Sequence, residues 1–429
     1  MRYEPIDNAL FTQNRHRFAA RMEPGAIAVF CANDIMPTNA DGTHPFIQQT
    51  DLFWLCGVDQ AETYLILFPD APESKDREIL FVKETNEKIT VWEGAKLSWE
   101  EARGVSGVQQ VLWEGEFRAR LGQLMLQAGQ VYLNTNEHLR AANLVETPDR
   151  RLIRWCRGQF PLHTYRRAAP ILHDLRAVKS REEVELIRRA CGITEKAFRR
   201  VLAFIRPGVW EFEIQAELVH EFIRNRSRRP AFESIVASGA DTCVLHYVKN
   251  DKQCRAGDLV LMDFGAEYAN YAADVSRTVP VDGRFSGRQR QLYEAVRKIQ
   301  VEAITRLVPD NTLKAYHEAV ARVAEAELVD LGLLDARDIA NQPEDKPLYK
   351  RYFMHGTSHH LGLDVHDYGH ARTPFKPGMV FTCEPGIYIP DEGLGVRLEN
   401  DILITADGPE DLTATIPIDP EEIEELMSS

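Results

Sequence analysis

Positive charge is in short supply in this chain. Lys and Arg number 51 against 65 Asp and Glu, a formal net charge of -14. Nucleic-acid binders usually present a basic surface, so no nucleic-acid partner is expected. None of the seven cysteines, Cys31, Cys56, Cys156, Cys191, Cys243, Cys254 and Cys383, forms a CxxC pair. That argues against a structural zinc site and a disulfide framework, and for reduced thiols in a cytoplasmic protein. Nowhere does an apolar run reach the ~18 residues of a membrane helix, so no membrane association is expected. The opening MRYEPIDNALFTQNRHRF has no apolar core of the kind a secretory signal needs. Short repeats, heptad runs and low-complexity segments are also missing.

What remains is an ordinary globular composition, 44% hydrophobic and 27% charged, spread over 429 residues. That length suggests two domains. AIAVF (26–30), TYLILF (63–68) and EILFV (78–82) are short apolar runs bounded by turn residues, and they predict strands. With a helix around 116–128 they predict an α/β N-terminal domain with a parallel or mixed sheet. A boundary is expected between 165 and 180, which gives domains 1–172 and 173–429. Ser180 and Glu183 then form a capping-box pattern. Val184, Ile187, Cys191, Thr194, Phe198, Leu202 and Ile205 follow at spacings of three and four, one apolar helix face closed by Pro207–Gly208. More amphipathic helices are expected near 211–225, 287–307 and 312–330. Beyond 255 come two pairs of strand-like runs, LVLMDFGAEY with YAADVSRTV and MVFTCEPGIYI with GVRLENDILIT. The C-terminal domain therefore reads as α+β, helices with antiparallel hairpins.

The chemistry concentrates in those hairpins. Asp263 and Asp274 are eleven residues apart. A turn centred near Tyr268–Ala269 would set them opposite each other on one face of the ladder. Two carboxylates held that way need a proton or a cation between them. Glu384 ends an apolar strand before Pro-Gly, and Glu399 lies inside another strand, where a glutamate is costly unless paired or metal-bound. A buried Arg397–Glu399 ion pair is the plain alternative for the latter. HGTSHHLGLDVHD supplies His355, His359, His360 and His366. There is no HExxH, and Gly356 weakens a helix, so a zincin site is not expected. His246 stands apart and could as well be structural. Four carboxylates and a histidine form an oxygen-rich set suited to hard cations such as manganese. Two such ions ~3.5–4 Å apart can activate a water for hydrolysis.

The ordered set Asp, Asp, His, Glu, Glu, carried by MDFGAEYANYAADVSRT, HGTSHHLGLDVHD, CEPGIYI and GVRLEND, resembles the pita-bread metallopeptidases. PFIQQTDLFWLCGVDQAETYLILF resembles the N-terminal domain of the aminopeptidase P and prolidase branch, with Gln49-Thr50-Asp51-Leu52-Phe53-Trp54 in place of its usual Q-x-S-D-F-x-Y run. The resemblance implies a pita-bread C-terminal catalytic domain with two divalent ions, Mn2+ foremost. Asp274 and Glu399 would bridge both ions, Asp263 would complete the second site, and His359 and Glu384 the first. Glu384 would also shuttle the proton of the attacking water. His246, His355 and His366 would bind substrate and the developing oxyanion, and Arg397 would steady the site. Asp41 and Trp92 match positions where a neighbouring subunit helps close the pocket in a dimer or tetramer. The implied reaction is hydrolysis of the bond before proline in Xaa-Pro peptides. A prolidase limited to dipeptides shares every ligand, and a non-catalytic pita-bread domain that binds peptides is the remaining reading.

Overall fold

β-branched and aromatic runs between turn residues do form strands in the computed structural model of the chain, which describes residues 3–141, 144–343 and 345–428. Two units pack separately, Tyr3–Leu175 and Arg176–Ser429. In the first, β1 (Ala26–Cys31), β2 (Tyr64–Leu67), β3 (Glu78–Val82), β4 (Gln110–Trp113), β5 (Gln130–Leu133) and β6 (Thr164–Arg167) make one sheet. Its order is β4-β3-β2-β1-β5-β6. The β1–β2 and β2–β3 pairs are antiparallel and the other three parallel, so the sheet is mixed. One face buries Ile27, Val29, Ile66 and Phe81 against Leu121 and Met125 of helix Phe117–Met125. The run around Gln49 is a short helix, Thr50–Cys56, capped by the Gln49 side chain. Gly57 ends it at φ +66°, where a Cβ would strike the Phe11 ring at 2.3 Å.

The second unit opens with helix Arg181–Phe204, and Ser180 and Glu183 form the expected reciprocal cap. The apolar stripe from Val184 to Leu202 is its buried face. Helices Glu211–Arg224, Gly287–Ile304 and Leu313–Asp330 follow. The strands are β7 (Ile235–Ser238), β8 (Leu259–Phe264), β9 (Glu267–Tyr268), β10 (Tyr271–Ala272) and β11 (Val275–Pro280), then β12 (Val380–Cys383), β13 (Gly386–Ile389), β14 (Leu394–Arg397), β15 (Asn400–Thr405) and β16 (Gly408–Asp411).

Both hairpins run in one register through an interruption. Tyr268 pairs with Tyr271, and Phe264 with Val275, but between them the ladder thins at Gly265–Ala266 and Ala273–Asp274, where the Ala273 N–H still donates to the Ala266 carbonyl at 3.0 Å. Gly265 is required there, because a Cβ would lie 1.8 Å from the Ala273 carbonyl oxygen. In the second hairpin Cys383 pairs with Asn400 and Gly386 with Arg397. That register puts Glu384 opposite Glu399, in the gap between the two paired stretches.

The register of the first hairpin corrects the sequence expectation. Asp263 lies opposite Ser276, not Asp274. The turn is centred one position later, on Ala269 and Asn270, both with positive φ (52° and 67°). Such a pair makes the tight hairpin turn whose twist suits the flanking strands. Asp274 is therefore a diagonal neighbour of Asp263, two residues along from Ser276 and on the same face by alternation.

The histidine-bearing segment is irregular backbone, so it needs an anchor. Arg176 donates from Nη2 to Asp364 Oδ2 and Asp367 Oδ1, both at 2.8 Å, and stacks 4.6 Å from the Tyr368 ring. Lys179 lies 3.1 Å from Asp367 Oδ2. Burial pushes the Asp367 carboxyl up, but Arg176 and Lys179 outweigh it and hold it below the usual range. A carboxyl lowered on folding stabilises above its unfolded pKa and loses that contribution as pH falls, here below about pH 4. Asp367→Asn leaves two buried cations short of a counter-charge. Urea unfolding at neutral pH should show a loss of about 3–5 kcal/mol, and the variant should lack that acid-induced part of the decline.

Candidate metal centre

The two ladder gaps bring their carboxylates to one place. Asp274, His359 and Glu399 offer ligand atoms that all lie within 4.8 Å of one another. His359 Nε2 is 3.5 Å from Asp274 Oδ2 and 3.7 Å from Glu384 Oε1. Nδ1 of the same ring is 3.0 Å from the His360 carbonyl oxygen, so it carries the proton and leaves Nε2 a lone pair turned toward the carboxylates. Asp263 enters from β8 and accepts from Arg397 Nη2 at 2.7 Å. Arg397 therefore pairs with Asp263, not with Glu399. Asp263 Oδ1 is buried without a hydrogen-bond partner.

Glu399 accepts from Ser276 Oγ at 2.8 Å, and that hydroxyl in turn accepts from Arg397 Nε at 2.8 Å. Asp274 is held through its backbone N–H, which donates to Asp401 Oδ2 at 3.0 Å. The electrostatics are unfavourable as they stand. Burial, then Glu399 and Asp263, push the Asp274 carboxyl well up. Burial, then Glu384 and Asp263, do the same to Glu399. Oxygen donors crowded on a buried face, with an orphaned carboxylate oxygen and a histidine lone pair among them, are the chemistry of a hard-cation site. These residues fit a divalent metal.

Around this core stand the other histidines. His355 Nδ1 donates to the Gly356 carbonyl at 2.8 Å, so its Nε2 accepts from Tyr388 Oη at 2.8 Å. Tyr388 Oη accepts in turn from Arg397 Nη1 at 3.0 Å. Burial and the nearby Arg397 bring His355 down to about 4, which keeps it neutral. His366 is exposed and sets its ring edge-to-face against His359, centroids 4.4 Å apart. His246 is exposed. Asp41 and Trp92 belong to the N-terminal unit, where both are exposed and Trp92 lies on helix Glu87–Glu93.

A model of metallopeptidase family M24 matches residues 185–406, and one of the aminopeptidase P N-terminal domain matches residues 11–132. The Xaa-Pro aminopeptidase of Escherichia coli (strain K12) is 35% identical, over 98% of each chain. The chain belongs to the aminopeptidase P family of M24 metallopeptidases. Solved structures agree. Aminopeptidase PepP of Pseudomonas aeruginosa superposes with a TM-score of 0.90 at 34% identity, covering 99% of this chain and 98% of that one. A zinc-substituted aminopeptidase P of E. coli in complex with product gives 0.87 at 34% identity, covering 99% of each. The mixed-sheet unit and the hairpin-and-helix unit are thus the aminopeptidase P N-terminal domain and the pita-bread catalytic domain. As a member of this family the chain is a metallo-exopeptidase that uses divalent metal.

Three residues that organise the aminopeptidase P site were not singled out from the sequence as part of it: Tyr388, Ser276 and Asp401. Ser276 shares the period-two face of Asp274, which was the available signal. Ser276→Ala removes the donor to Glu399 and the acceptor for Arg397 Nε. Metal affinity should fall ~10-fold or more, read by competition with a chromogenic chelator, with the far-ultraviolet spectrum unchanged.

Proposed function

We propose that this protein releases the N-terminal residue from peptides whose second residue is proline, with two divalent cations, Mn2+ foremost, held by Asp263, Asp274, His359, Glu384 and Glu399. The observation that carries the substrate class is likeness along the whole chain, both domains included, to relatives named Xaa-Pro aminopeptidase. Support for the ligand set is the convergence of four carboxylates with too little cationic charge between them. Asp274 and Glu399, the two buried carboxylates of the set, suit bridging positions. Asp263 suits the second ion, and His359 with Glu384, 3.7 Å apart, the first. Oxygen-rich donors favour manganese over a thiolate-selected metal. When bound, the ions supply Lewis acidity and ease the deprotonation of water.

The protein's own groups supply the rest. Glu384, 3.8 Å from His355 Nδ1, would take the proton of the attacking water and hand it to the leaving nitrogen. That nitrogen needs it to depart as an amine, as in any amide hydrolysis. Neutral His355, braced by Tyr388 and Arg397, keeps a fixed tautomer beside the carboxylates. Exposed His246 would donate to substrate oxygens, and exposed His366 to the oxyanion that develops at the scissile carbonyl. The seven free thiols suit the reducing cytoplasm. An assembly of two or four copies would use exposed Trp92 and Asp41 against a neighbour's pocket. Among the described residues no helix is long and apolar enough to cross a membrane.

A manganese-supplemented assay tests the substrate class. Xaa-Pro-Xaa tripeptides and longer peptides should lose their first residue. Hydrolysis confined to Xaa-Pro dipeptides would make the protein a prolidase, and no hydrolysis with no manganese bound would sink the enzyme reading. Asp274→Asn should lower kcat/KM by ~1000-fold or more, because several kcal/mol of transition-state stabilisation depend on the metal. His366→Ala should lower kcat by ~100-fold with metal content unchanged. Loss of metal in that variant would mean His366 is a ligand.

A further inference from the structure

Glu211 opens helix Glu211–Arg224 yet does not cap it. Its carboxylate is fully buried (0% exposed) and reaches sideways into the segment that follows β7. Oε1 accepts from the Ser238 backbone N–H at 2.7 Å and from Ser238 Oγ at 2.6 Å. Oε2 accepts from Tyr247 Oη and from the Lys252 N–H, both at 2.9 Å. The Glu211 N–H completes the tie by donating to the Lys252 carbonyl at 2.9 Å. One side chain thus pins the start, the middle and the end of residues 238–252.

His246 rides on that segment, one residue before Tyr247. Its neighbours Leu245 and Tyr247 both pack inward, with Ile235, Ala237, Leu261 and Tyr388. His246 itself is turned outward. Tyr388 is the residue whose hydroxyl meets His355, so the packing that seats this segment is continuous with the wall of the metal centre. Burial and the hydrogen bond to Glu211 push the Tyr247 phenol up, which keeps it a donor at any working pH.

We propose that Glu211 is the positioning residue for His246, holding the 238–252 segment so that the imidazole meets the substrate. The inference rests on the reading that His246 contacts substrate. Four donors share one carboxylate, so no other side chain of that size satisfies them. A glutamine would turn an N–H2 toward two of them, whichever way it faced, and leave buried donors without acceptors.

A double-mutant cycle on the full-length, manganese-loaded protein tests this, with an Xaa-Pro tripeptide as substrate. His246→Ala and Glu211→Gln should each raise KM about 10-fold with kcat within about 3-fold, and the double variant should resemble either single one. Metal content should match wild type in all three. An unchanged KM in E211Q, or effects that multiply in the double variant, overturns the positioning role while leaving the substrate role of His246 intact. A silent His246→Ala overturns both. Tyr247→Phe removes one donor and keeps the carboxylate, so it reads the same linkage if E211Q folds poorly. Its KM should rise about 3-fold at a near wild-type melting temperature, and no change there also counts against the proposal.

Discussion

Repulsion between buried and half-buried carboxylates is the constraint on which the rest of the C-terminal unit turns. Asp263, Asp274, Glu384 and Glu399 cannot all be ionised at close quarters without compensating charge. Arg397 makes a direct ion pair with Asp263 and offsets the charge of Glu399 only in part. The surrounding protein does not relieve the problem and in places sharpens it. Asp401, directly behind Asp274, is itself a buried carboxyl, pushed by burial up to about 8. Such a cluster survives in a folded protein because a cation is part of its working state, and metal binding is then part of folding stability.

The backbone arrangement follows from the same need. Each of the two hairpins is paired tightly on both sides of a gap, and each gap carries carboxylates of the cluster. Asp274 sits in the first, Glu384 and Glu399 face each other in the second. A continuous ladder would hold these side chains at ordinary sheet spacing, pointing perpendicular to a flat surface. Interrupting it lets the strands bend and lets side chains from both hairpins meet. Gly265 makes the first gap sterically possible. Ser276 and Arg397 bind the two hairpins to each other, since one hydroxyl reaches Glu399 and accepts from the guanidinium that also holds Asp263 and Tyr388.

How far this was legible in the sequence depends on the range of each interaction. The stripe from Val184 to Leu202 and the Ser180–Glu183 cap are local, and both appear as read. The paired aspartates were recognisable from their apolar strand, but their register was not. Tyr268–Ala269 looked like the turn, whereas Ala269 and Asn270 take the left-handed conformation. A one-residue shift of the turn exchanged Asp274 for Ser276 opposite Asp263. Arg397 and Glu399 shared a face and suggested an ion pair. The actual partner, Asp263, lies 134 residues away, beyond anything spacing can reveal. Tyr388, Asp401 and Glu211 act through hydrogen bonds to distant segments, so nothing in their own neighbourhoods marked them.

If the crowded carboxylates form a pair of cation sites, manganese should fill both. Anomalous diffraction from crystals soaked in manganese, collected on both sides of the manganese absorption edge, tests it most directly. Two anomalous peaks ~3.5–4 Å apart are expected, enclosed by Asp263, Asp274, His359, Glu384 and Glu399. A single peak, or manganese bound elsewhere with these carboxylates protonated, would contradict it.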